Sequence, residues 1–113
     1  MKSSKIAITL ACLAFGLPNR AQDVKVIPIT AKRFEYSPKE VHLKKGETVT
    51  LVLTSADVTH GFFCRPLKVD SDIPPGQETR LTVTPMQAGE FTAICNHFCG
   101  GGHGNMKMKF VVE

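Results

Sequence analysis

The residues 95–106, Cys95-Asn-His97-Phe-Cys99-Gly-Gly-Gly-His103-Gly-Asn-Met106, bring thiol, imidazole and thioether groups into one short stretch. Thiolate, imidazole and thioether are soft or borderline ligands that suit copper. Calcium or magnesium would need a cluster of oxygen donors that this stretch lacks. The glycines let the backbone wrap closely around a bound group. His60, in the apolar stretch His60 to Cys64, is the obvious distant histidine.

Counting ligands separates the candidate centres. Cys99, His103, Met106 and His60 would make a single-copper blue site, with methionine as a weak axial ligand. Cys95 is then left over beside the metal, where a spare thiolate is an oxidation liability. Two thiolates can instead bridge two copper ions, each ion taking one histidine as well. Met106 and a backbone carbonyl near His97 would then be the weak axial ligands. A zinc site made from Cys95, His97, Cys99 and His103 is the main metal alternative. A reversible Cys95–Cys99 disulfide without metal is another.

The elements around this stretch read as strands. Val24 to Thr30, Val41 to Leu43, Thr48 to Thr54, His60 to Cys64, Thr79 to Thr84, Glu90 to Cys95 and Lys107 to Glu113 are short segments separated by turn residues. Several alternate: Val49, Leu51 and Leu53 share a face, as do Phe91, Ala93 and Cys95, and Met108, Phe110 and Val112. Period-2 runs punctuated by Pro and Gly predict a two-sheet antiparallel sandwich, with helices limited to single turns. The ligand stretch opens at the end of one strand and closes at the start of the last, so it is a loop at one end of the sandwich.

The chain has 113 residues and a formal charge of +4. Residues 1–21 read as a secretory signal: Lys2 and Lys5 form the charged start, Ile6 to Leu17 the apolar run, and Ala21 a small residue for cleavage. An uncleaved short anchor is the alternative. Residues 22–113 are then one domain with one core. Setting aside Lys2, Lys5 and Arg20 leaves 11 of the 14 basic residues against 10 acidic ones. No basic stripe survives, which excludes nucleic-acid binding. Cys64, Cys95 and Cys99 are an odd number of cysteines after the signal, unlike a disulfide framework.

Cys-x3-Cys-x3-His-x2-Met, preceded by a histidine on an earlier strand, resembles the CuA domain of cytochrome c oxidase subunit II, in its ba3-type form. Nitrous oxide reductase carries a similar module. The likeness extends over Phe34-x-Tyr36-Ser-Pro38, Val58-Thr-His60-Gly-Phe62, Ile73-Pro-Pro-Gly76 and Ala88-Gly-Glu-Phe91. It implies an all-β, cupredoxin-type Greek-key β-sandwich that binds two copper ions. Cys95 and Cys99 would bridge both, His60 and His103 would each bind one, and Met106 and the His97 backbone carbonyl would be axial. It implies one-electron transfer from a c-type cytochrome or similar donor to a terminal oxidase, at an exported, periplasmic location. Membrane association would come through the N-terminal segment or a partner.

Three departures accompany the resemblance. His97 stands where many oxidases have a glutamate that reaches magnesium. Subunit II carries transmembrane helices, whereas this sequence shows a signal-like segment. The tryptophan through which many relatives accept electrons is missing. The second and third together suggest a stand-alone version. No substrate pocket or acid–base pair is apparent, so the chain is not expected to turn over a substrate alone. A copper carrier for oxidase assembly and a mononuclear blue-copper carrier are the competing functions.

Five expectations concern the surroundings. Phe62, Phe63, Phe98 and Met108 should form an apolar shell that excludes water. Met86 and Met108 should pack instead of binding metal. Cys64 should be a small buried residue, and His42 should face solvent. The His97 side chain should pack or face a partner.

Overall fold

The computed structural model describes residues 24–101 and 103–113. The expected signal, residues 1–21, lies outside the described residues. Among the described residues, nine strands form two sheets. β1 (Lys25–Lys32), β2 (Glu35–Ser37), β4 (Val49–Ser55) and β7 (Thr79–Val83) make one sheet in the order β2-β1-β4-β7. β3 (Glu40–Leu43), β5 (His60–Cys64), β6 (Val69–Ile73), β8 (Gly89–Ile94) and β9 (Lys107–Val112) make the other in the order β3-β9-β8-β5-β6. The described helical segments are single 3-10 turns, Arg65–Leu67 and His103–Asn105.

The all-β, two-layer reading holds, but the sandwich is not purely antiparallel. β1 pairs in parallel with β4, and β3 in parallel with β9. Alternation tells which face of a strand is buried and is silent on the direction of its neighbour. Two strands were not anticipated. β2 is three residues long, and β6 (Val-Asp-Ser-Asp-Ile) alternates but is rich in residues of low strand propensity.

The inner faces follow the alternation. Val49, Leu51 and Leu53 of β4 are fully buried, and Met108, Phe110 and Val112 of β9 are buried. Val52, on the other face of β4, is buried as well. Tyr36 from the first sheet and Phe62 and Phe110 from the second form an edge-to-face column across the sandwich. Their ring centroids are 5.3 Å and 6.0 Å apart. Such pairs add about 0.5–1.5 kcal/mol each beyond area burial. The column anchors the start of β5, which carries His60.

Candidate metal centre

β5 and β8 lie side by side in the second sheet, and β8 is continued past its end by the backbone N–H of Cys95 donating to the carbonyl of Met106 at 3.2 Å. This closes the loop 95–106 at its base. Cys95 and Cys99 are both buried, and their sulfurs lie 3.6 Å apart, well beyond the roughly 2.05 Å of a disulfide. The Met106 thioether, also buried, lies 3.8 Å from the Cys99 sulfur. The carbonyl oxygen of His97 lies 3.0 Å from the Cys95 sulfur.

His60 reaches the same point from β5. One ring nitrogen of His60 and the sulfurs of Cys95 and Cys99 all lie within 4.8 Å of one another. The imidazole is fully buried. Its Nε2 lies 2.7 Å from Oδ1 of Asp57, while its Nδ1 has no protein partner. A buried ring nitrogen without a partner is costly unless something binds it. Beside two sulfurs and a thioether, this donor set suits a soft or borderline metal ion such as copper.

Asp57 orients the ring. Burial alone would raise its carboxyl. The Arg33 backbone N–H, the His60 ring and the Val58 backbone N–H outweigh that and hold it down at about 2. It therefore stays an ionised acceptor at any neutral pH and fixes the orientation of the ring. In the metal-free protein, burial pushes the Cys99 thiol up to about 11. The neighbouring Cys95 adds to the rise, and the Arg33 guanidinium opposes it. Arg33 Nε also donates to the Cys99 carbonyl at 3.1 Å.

Glycine is required where β5 meets the loop. A Cβ on Gly61 would lie 2.7 Å from the backbone nitrogen of His97 and 2.8 Å from that of Asn96. Gly61 also donates its N–H to the Cys95 sulfur at 3.2 Å. Gly100, at φ +137°, packs where a Cβ would meet the Phe34 ring at 2.9 Å. Asn96 ties the loop to β6 by donating to Asp70 at 3.0 Å. An open depression of about 280 Å³, lined by Arg33, Val58, His97, Phe98 and Gly100, leads to Cys99.

The structure thus brings together His60, Cys95, Cys99, Met106 and the His97 carbonyl. The backbone of His103 lies in the single turn before β9; its side chain lies outside the described residues. Four expectations concerning neighbours held. Phe62 and Met108 are buried, Cys64 is buried with its thiol raised by burial, and His42 is exposed against Glu40. Phe63 is half-buried, with the Arg65 guanidinium over its ring.

Two expectations fail. Phe98 is 73% exposed and stands on the rim, not in an apolar shell. Met86 is 66% exposed and lies outside the core. Each sits where the backbone carries its side chain outward, which residue type does not reveal. The His97 side chain is exposed, with Nδ1 3.0 Å from the Phe98 carbonyl oxygen. Sequence reasoning did not reach Asp57 or Arg33, and it gave Gly61 no role beyond its place in Val58-Thr-His60-Gly-Phe62. A faint signal existed for the first, an aspartate three residues before the buried histidine.

A family model described as a cupredoxin-like domain matches residues 5–112. This chain belongs to the cupredoxin-like domain family. The cupredoxin domain is similar to cytochrome c oxidase subunit 2 of Thermus thermophilus, with 33% identity over 85 residues, 75% of this chain and 63% of that relative. It is also similar to nitrous-oxide reductase of Cupriavidus necator, with 34% identity over 91 residues, 77% of this chain and 14% of that relative. The domain thus spans less than two thirds of the length of these curated relatives. Among solved structures, it shares its fold with the periplasmic domain of subunit II of the Bradyrhizobium japonicum cytochrome oxidase. The TM-score is 0.72 at 20% identity, over 79% of this chain and 83% of that one. Among the described residues, no helix is long and apolar enough to cross a membrane.

Proposed function

We propose that this cupredoxin domain transfers single electrons through a binuclear copper centre. Its ligands are His60, Cys95, Cys99, His103, Met106 and the backbone carbonyl of His97. The observation that carries this reading is the pair of buried sulfurs 3.6 Å apart, facing a buried histidine nitrogen that no protein group satisfies. A mononuclear site needs one thiolate; here the second is built into the same cavity wall.

Copper, when bound, supplies a one-electron couple shared between two ions. The chain does the rest. Two strand ends and the Asn96–Asp70 bond hold the loop in one shape, so few protein atoms need to move when an electron arrives. Asp57 keeps the His60 ring turned with Nδ1 free to bind. Buried Phe62 and Met108 lie in the core behind the site and keep that side dry. Partner proteins approach from the open side, past Phe98 and Arg33.

Similarity to cytochrome c oxidase subunit 2 supports a place between an electron donor such as a c-type cytochrome and a terminal oxidase. Similarity to nitrous-oxide reductase supports the same electron-transfer role with a different acceptor. The signal-like residues 1–21 support work outside the cytoplasm.

The test is copper reconstitution with metal analysis and electron paramagnetic resonance. Two coppers per chain and a mixed-valence signal are expected, and Cys95→Ser should destroy the paired centre. One copper per chain, or a blue site that survives Cys95→Ser, would overturn the reading.

A further inference from the structure

Tyr36 is the single tyrosine of the chain and lies fully buried on β2, in the sheet opposite the ligand loop. Its ring packs edge-on against Phe62 at 5.3 Å. A phenylalanine would fill that space, and a buried hydroxyl is costly unless it is hydrogen-bonded. The hydroxyl reaches across the sandwich and donates to the Gly61 carbonyl at 2.5 Å. Gly61 in turn points its own N–H at the Cys95 sulfur, 3.2 Å away. One residue is therefore gripped at both polar atoms, by a phenol on one side and a sulfur on the other.

We propose that Tyr36 is a positioning residue for the metal centre. Its hydroxyl, acting through Gly61, fixes the N–H that the Cys95 sulfur accepts and so sets the electron density on that sulfur. This rests on the reading of Cys95 as a copper ligand. Gly61 has no side chain to hold its backbone orientation, so the tether on its carbonyl does that work. Hydrogen bonds to a cysteine sulfur tune the potential of a copper–thiolate site, because they draw density from the ligand and favour the reduced state.

The test compares the parent with Tyr36→Phe, which keeps the ring and removes the hydroxyl. In the metal-free protein, the Gly61 amide should exchange with solvent roughly three- to tenfold faster in the variant, the effect of losing one hydrogen bond. In the copper-loaded protein, the variant should hold the same copper but show a lower reduction potential and a shifted sulfur-to-copper absorption band. Val49→Ala, a core change in the first sheet, controls for simple loss of stability and should move none of these. A chain carrying 3-fluorotyrosine at its single tyrosine keeps ring and hydroxyl, and its more acidic phenol should move the potential the opposite way. This second variant decides the matter if Tyr36→Phe does not fold.

Unchanged Gly61 exchange and unchanged potential would overturn the proposal, as would equal shifts in Val49→Ala. If the parent binds one copper or none, the functional reading fails. Gly61 exchange in the metal-free protein still judges the tether.

Discussion

The Nε2 of His60 lies 2.7 Å from Oδ1 of Asp57, and the ring's other nitrogen, buried and without a protein partner, is the one left for the cavity that holds the two sulfurs. The carboxylate thus chooses which nitrogen is left without a protein partner. Removing it with Asp57→Ala should lower copper affinity about 10–100-fold, the usual effect of losing such an outer partner. Chelator competition measures this. Unaltered affinity would mean that packing alone holds the ring.

Gly61→Ala places a methyl group within 3 Å of the backbone nitrogens of Asn96 and His97. Backbone cannot yield as a flexible side chain can, so the loop must move away from β5. The variant should be destabilised by about 1–3 kcal/mol and should bind less than its full complement of copper. Denaturant unfolding and metal analysis check the two halves separately.

Met106 is buried with its thioether 3.8 Å from the Cys99 sulfur. Met106→Leu conserves volume, so stability should change by less than about 1.5 kcal/mol. The proposed weak axial ligand is lost, however, and the reduction potential should shift while copper content stays the same. Voltammetry on the loaded variant reads the shift; an unmoved potential would remove Met106 from the ligand set.

Cys64 closes β5 at the end away from His60, buried and with its thiol raised by burial. A buried, protonated thiol reacts slowly. Under native conditions Cys64 should resist alkylation that proceeds readily once the protein is unfolded, and Cys64→Ala should leave copper stoichiometry intact. Mass spectrometry of alkylated peptides and metal analysis follow these outcomes. Loss of copper in the variant would show that Cys64 belongs to the centre.

Much of this was legible along the chain. Alternation in Thr48 to Thr54 and Lys107 to Glu113 revealed which residues face the core, because side chains on a strand alternate strictly. The spacing of Cys95, Cys99, His103 and Met106 marked one short loop as the candidate site, and the structure brings the Cys95, Cys99 and Met106 sulfurs of that loop together. The parallel pairings of β1 with β4 and β3 with β9 were not legible, because the partners are far apart in sequence and a strand's own pattern carries no record of its neighbour's direction.

Residue types and their local spacing therefore determined the all-β class, the soft donor set and the loop that carries it. Only the tertiary structure decided that Asp57 selects a nitrogen of His60, that Gly61 must lack a side chain, and that Tyr36 reaches Gly61 from the opposite sheet. It also turned Phe98 outward to the rim. The reason is physical: donor chemistry belongs to single residues, whereas orientation and close approach come from segments that meet only when the two sheets pack.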